Sequence, residues 1–101
     1  MGCKLSLQEV KDNLKNWTEA SDNREALTQT LVFDNFKIAF SFMTMVALKA
    51  EQIDHHPEWS NVYNKVTIIL TTHDLDGLSD KDLELGEFID NCYNQIGKKN
   101  K

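Results

Sequence analysis

Apolar residues recur along this chain with two different periods, and the change from one to the other predicts its elements. Leu7, Val10 and Leu14 are spaced for one face of a helix over about Leu5 to Lys15. Ser6 with Glu9 forms a capping box at its start. Trp17 either begins a short strand or plugs the core, and Thr18 to Arg24 is polar and turn-like. From Ala26 to Phe33 the pattern alternates, with Leu27, Leu31 and Phe33 on one face and threonines mostly on the other, as in a half-buried strand. Asp34 or Asn35 can cap the next helix. There Phe36, Ala39, Phe40, Met43, Val46, Ala47, Ala50 and Ile53 give the strongest helical signal in the chain. A second, narrower stripe of Ile38, Phe42 and Met45 predicts that this helix is covered on two sides, the second cover being another copy of the chain, with a tightly wrapped monomer as the alternative.

Asp54-His55-His56-Pro57 ends that helix, because proline disfavours helical geometry in the residue before it. Trp59 to Tyr63 and Val66 to Thr71 read as strands joined by a bend at Asn64-Lys65, and His73 to Gly77 as a loop. Ser79 with Asp82 caps a last helix whose stripe is Leu85, Phe88, Ile89, Cys92, Tyr93 and Ile96. The order is α-β-β-α-β-β-α, with no regularly repeated helical crossover. It predicts an α+β fold, a four-stranded antiparallel sheet with three helices packed on one face. A chain of 101 residues is expected to form a single domain, 1–101, with 97–101 a frayed basic tail.

Composition narrows the function. A net charge of −5 argues against non-specific nucleic-acid binding, which needs a basic face. Cys3 and Cys92 do not make a disulfide framework, so a reducing compartment is expected. No apolar run approaches the ~20 residues that span a bilayer, and the first residues lack a signal-peptide core; the expected location is cytoplasmic. Met1-Gly2-Cys3-Lys4-Leu5-Ser6 also fits the pattern for myristoylation at Gly2 with palmitate on Cys3, which would make the protein membrane-associated. The competing reading assigns Ser6 to the capping box alone.

All three histidines fall at segment ends: His55 and His56 after the long helix, His73 after the last strand. Glu51, Asp54, Glu58, Asp74 and Asp76 surround them in sequence. Histidine suits proton transfer near neutral pH, its unperturbed pKa being roughly 6.5, and a neighbouring carboxylate fixes its tautomer. These residues are therefore candidates for an acid–base site; the competing reading leaves the histidines exposed in loops. Zinc is disfavoured, because adjacent histidines chelate one ion poorly and neither cysteine is near. No glycine-rich phosphate loop or G-x-S-x-G elbow is present, and a nucleophilic Cys92 would lie on a buried helix stripe.

The stretch from Phe40 to Ile89 resembles the pterin-4a-carbinolamine dehydratase family. The resemblance is carried by Asp54-His55-His56-Pro57-Glu58-Trp59, Asn61-Val62-Tyr63-Asn64-Lys65-Val66, Leu70-Thr71-Thr72-His73, and Gly77-Leu78-Ser79 with Asp82. Phe40-Ser41-Phe42-Met43 and Val46-Ala47-Leu48 fit as well. The resemblance implies dehydration of 4a-hydroxytetrahydrobiopterin to quinonoid dihydropterin, in tetrahydrobiopterin recycling, with no metal or organic cofactor. It implies a homotetramer or homodimer, dimers joining through their sheets and associating through helices. It places His55, His56 and His73 in the pocket as catalytic groups. Pro57, Trp59, Thr72, Asp74 and Leu75 join the histidines as substrate contacts, with Trp59 as pocket wall. Glu51 and Asp54 support the histidines, and Asp82 buttresses His73. Asp82 as a plain helix-start residue, Trp59 as plain core and Asp54 as a plain helix end are the respective alternatives. Animal members of the family are also dimerisation cofactors of a homeodomain transcription factor, which implies a second reading: a binding protein, in part nuclear, whose partner surface is the helix face around Ile38, Phe42 and Met45. A third is a molybdopterin-related role on the same site.

Overall fold

A computed structural model describes residues 3–21 and 24–97. Among them the order is β1 (Lys4–Leu5), α1 (Leu7–Asn13), β2 (Thr18–Glu19), β3 (Leu27–Val32), α2 (Phe36–Gln52), β4 (Glu58–Val62) and β5 (Lys65–Leu70). A 3₁₀ turn (His73–Leu75), β6 (Leu78–Ser79), α3 (Asp80–Cys92) and a π-helical turn (Tyr93–Gly97) follow. The myristoylation position Gly2 and tail residues 98–101 lie outside the described residues; Cys3 is exposed.

The main sheet has the order β2-β3-β5-β4, antiparallel throughout. Directly paired residues share a face. Leu27 pairs with Leu70, Leu31 with Val66, and Trp59 with Ile68, so these side chains lie on one side of the sheet. Val10 of α1 with its C-cap Leu14, Phe42 and Val46 of α2, and Leu85 and Ile89 of α3 join that face in one buried cluster. Each such side chain contributes roughly 1.5–3 kcal/mol on burial. The other face carries threonines, of which Thr30 and Thr67 bond to each other at 3.1 Å. The fold is therefore α+β, a four-stranded antiparallel sheet with the helices on one face. Gly86 allows the closest approach: a Cβ there would come within 2.5 Å of Leu14 and 3.1 Å of Leu70.

Several boundaries differ from the sequence reading. The Ser6–Glu9 capping box forms, and it starts α1 at Leu7, which releases Lys4–Leu5 to pair with Leu78–Ser79 as a separate two-stranded ribbon. The polar Thr18–Glu19 pairs with Thr28–Leu27 as an edge strand, so sheet pairing overrides its turn-like composition. Of the two roles open to Trp17 it takes the second: it plugs the core, 2% exposed, and the strand begins one residue later at Thr18. The β4–β5 turn is Tyr63-Asn64 rather than Asn64-Lys65, since Val62 pairs with Lys65 and Tyr63 takes φ 51°.

Asn35 is the residue that caps α2, its side chain accepting from Ile38 N–H at 2.9 Å. The two stripes of α2 are corrected. Phe42, of the narrow stripe, is fully buried, and Ile38 and Met45 pack against the core. Phe36, Phe40 and Leu48 are the large exposed apolar residues of this helix, at 47, 54 and 69%, and Ala47 is exposed beside them. A helix apolar on most of its circumference has an ambiguous axis of burial, and the sheet selects Ala39, Phe42, Val46 and Ala50.

Candidate active site

The end of α2 presents the histidine pair. Asp54 N–H donates to the Glu51 carbonyl at 3.2 Å and His55 N–H to the Ala50 carbonyl at 3.0 Å. With Asp54 at φ 55°, this is a Schellman motif with aspartate at the left-handed position usually taken by glycine. Lys81 ties the same corner to α3, donating from Nζ to the Ile53 carbonyl at 2.6 Å. Pro57 then leads into β4. His73 opens the 3₁₀ turn that follows β5, and the turn closes as Thr72 and Gly77 bridge. The two segments face each other across a cleft of about 370 Å³ lined by residues 54–58 and 72–74.

Each histidine is tied at Nε2 to a different carboxylate. His55 meets Asp82 at 2.6 Å, His56 meets Glu51 at 3.0 Å, and His73 meets Glu58 at 2.7 Å. The three pairs differ in burial. The side chains of His55 and Asp82 are 11% and 0% exposed, those of His56 and Glu51 59% and 82%, and those of His73 and Glu58 71% and 36%. Where Nε2 carries the hydrogen toward a carboxylate, Nδ1 remains for a bound molecule.

Asp82 is held by more than its histidine. Its Oδ2 accepts from the Thr72 hydroxyl at 2.7 Å and from Ser79 N–H at 3.0 Å. Thr72 and Ser79 hydroxyls are 2.8 Å apart, and Lys81 N–H donates to Ser79 Oγ at 3.2 Å. The capping box of α3 and the His55 contact thus share one buried carboxylate. Glu58 is held from the other side by Arg24, whose Nη1 and Nη2 donate to its two oxygens at 2.6 and 3.0 Å. The guanidinium, and then His73, hold the Glu58 carboxyl below its ordinary value.

Of the sequence-predicted site residues, the cleft brings together His55, His56, Pro57, Thr72, His73 and Asp74, with Asp54 at its edge. Three placements are corrected. Asp82 contacts His55 rather than His73, because α3 starts beneath the α2 corner. Trp59 shares the core face of the sheet with Ile68 instead of forming pocket wall, since alternation along β4 turns Glu58 to the cleft. Leu75 does not line the cleft either. The Asp54 carboxylate makes no hydrogen bond or ion pair among the described residues, so its visible task is the left-handed turn. Arg24 and the Glu58 contact were not anticipated. Glu58 was readable from strand alternation; Arg24, in a polar stretch, carries no local signal. Among the described residues no set of three histidine, cysteine or acidic side chains converges as metal ligands would.

Fold and site define a small α+β protein with three carboxylate-backed histidines around one cleft. The family profile described as pterin 4 alpha carbinolamine dehydratase matches residues 3–92. A protein of Burkholderia vietnamiensis, provisionally named a pterin-4-alpha-carbinolamine dehydratase, is 50% identical over 90 residues, 86% of this chain and 87% of its own. A Burkholderia pseudomallei protein of the same provisional name is 46% identical over 98 residues, covering 94% and 92%. A crystal structure described as a transcriptional coactivator/pterin dehydratase from Brucella melitensis superposes with a TM-score of 0.81 at 37% identity, over 88% of this chain and 97% of that one. The chain belongs to the pterin-4a-carbinolamine dehydratase family.

Proposed function

We propose that this protein dehydrates 4a-hydroxytetrahydropterin to quinonoid dihydropterin by histidine acid–base catalysis, without a cofactor, in tetrahydrobiopterin recycling. The observation that carries the reading is the ring of His55, His56 and His73, each backed by its own carboxylate, around one cleft. The reaction asks for proton transfers. The 4a-hydroxyl leaves as water once an acid protonates it, and a ring nitrogen gives up a proton to a base, so the proton count balances. A well-placed histidine contributes about 10²- to 10⁴-fold to such a step. Pro57 shapes the wall and Asp74 offers polar contacts to the pterin, while the Thr72 hydroxyl is committed to Asp82 and Ser79. Glu51 and Asp82 fix the tautomers of His56 and His55. The chain works as one domain in the cytoplasm and as a homo-oligomer.

Stopped-flow absorbance with synthetic 4a-hydroxytetrahydropterin tests the reading. Acceleration by the wild type that survives a chelator and falls at least about tenfold in His56→Ala supports it. No acceleration above the spontaneous rate sinks it.

A second reading, a protein-binding cofactor of transcription, is favoured by one observation: Phe36, Phe40 and Leu48 leave an apolar strip of α2 in solvent. Sedimentation of Phe40→Glu tests whether the strip is available to a partner or is taken by a second copy of the chain. Loss of self-association with dehydration intact would assign the strip to assembly, distinct from the cleft.

A further inference from the structure

His73 stands between two cavities. Thr72 and His73 line both the histidine cleft and a smaller cavity of about 240 Å³ completed by Arg24, Glu25, Thr71 and Asp76. The His73 side chain is 71% exposed, so packing selects no ring orientation and there is open space on either side of it. His55, at 11%, is held by its surroundings. The hydrogen bond that fixes His73 runs from its Nε2 to Glu58 Oε2. A glutamate at a sheet edge, itself 36% exposed, would rotate freely and carry the imidazole with it. Glu58 does not, because Arg24 grips both carboxylate oxygens in a fork that fixes their plane. Oε2 is shared: it accepts from Arg24 Nη1 and faces His73 Nε2 at once.

We propose that Arg24 and Glu58 are positioning residues for His73, Arg24 fixing the Glu58 carboxylate and Glu58 fixing the imidazole with its hydrogen on Nε2 and Nδ1 left for the bound molecule. An ionised carboxylate only accepts hydrogen bonds, so Nε2 must be the donor. The relay joins the β2–β3 connection, the start of β4 and the turn after β5, which no local sequence interaction would align. Its consequence for rate rests on the dehydratase reading above; its consequence for the ring does not.

The test uses the full chain, ¹⁵N-labelled, with imidazole ¹H–¹⁵N spectra and stopped-flow dehydration recorded on the same preparations. In the wild type the carbon-bound ring protons of His73 give, through their two- and three-bond couplings, the ¹⁵N cross-peak pattern of the Nε2–H tautomer, a readout that does not need a slowly exchanging N–H on this exposed ring. In Arg24→Gln the His73 cross-peaks move toward those of a mixture of tautomers while the His55 cross-peaks stay, and kcat falls about tenfold with KM within about twofold, as expected for a misplaced catalytic group. Arg24→Lys, which keeps the charge but not the fork, falls between, and it replaces Arg24→Gln if the latter does not fold. A His73 peak unmoved in both variants overturns the proposal, whatever the rate does. A His73 peak that responds to Arg24 in a protein that dehydrates nothing leaves the relay standing and removes the reaction.

Discussion

The two walls of the cleft hold their histidines by opposite means. On the α2–α3 side, His55 rests on Asp82, a carboxylate with no exposed surface whose other oxygen accepts from a hydroxyl and a backbone N–H. On the sheet side, His73 stands in solvent on Glu58, and Glu58 depends on Arg24. The first arrangement is part of the core, so fold and site stand or fall together there. The second is a surface relay, where solvent screening keeps each ion pair weak in stability while its geometry still directs a ring. One cleft therefore couples a wall whose alteration disrupts folding with a wall that can be altered with little effect on it.

The sharpest way to break this contrast is to truncate each carboxylate. Asp82→Ala orphans the Ser79 N–H and His55 Nε2 and leaves the Thr72 hydroxyl only Ser79 Oγ, and each orphaned buried donor costs about 1–3 kcal/mol. Chemical denaturation is expected to show a loss of ~3 kcal/mol or more. Glu58→Ala is expected to cost under ~1 kcal/mol on the same assay. Equal losses in the two variants would abolish the distinction between the walls.

A smaller effect sharpens the comparison through pH. Arg24 first, and His73 second, hold the Glu58 carboxyl below its ordinary value of 4.5. A depressed folded-state pKa means that the contribution of Glu58 to stability is complete above 4.5 and is lost as pH falls through the lower folded value. Asp90 supplies the opposite sign. It accepts from Trp17 Nε1 and Gln29 Nε2, but burial outweighs those bonds and pushes its carboxyl above 3.8. Its contribution is complete below 3.8 and is lost as pH rises through the higher folded value. Carboxyl ¹³C titrations are expected to return Glu58 toward its ordinary value in Arg24→Gln and to leave Asp90 where it is. Glu58 titrating unchanged in that variant would show that Arg24 is not what grips it.

The same contrast governs how much of the protein was legible in its sequence. Long apolar periods announced α2, β5 and α3, and the Ser6–Glu9 and Ser79–Asp82 caps formed as read. The ribbon Lys4–Leu5 with Leu78–Ser79 was not legible, because two-residue strands carry no period and their pairing spans most of the chain. His55, His56 and His73 were picked out by residue type, but their partners were not all assignable. Glu51 is within one helical turn and one corner of His56, so its pairing was local. The resemblance points to Asp82 but pairs it with His73, and the side of the cleft under which α3 begins, which gives it to His55, is a tertiary fact. Arg24 reaches Glu58 across 34 residues from a stretch that reads as polar loop. Buried, periodic structure is written locally; a surface relay is written only in the fold.

The mildest change concerns the corner that presents His55. Asp54 holds φ 55°, a left-handed conformation that costs a non-glycine residue of order 1 kcal/mol and that glycine adopts freely. If the residue serves only to end α2, Asp54→Gly keeps the Schellman turn, leaves His55 on Asp82, and changes stability by less than about 1 kcal/mol, because relief of strain offsets the greater freedom of the unfolded chain. Dehydration should then match the wild type, while Asp54→Val, forced into the same φ, should lose both stability and rate. An Asp54→Gly variant that is stable but slow would return the Asp54 carboxylate to the chemistry, and it would mean that the buried wall, like the exposed one, depends on a charge at the cleft edge as well as on packing beneath it.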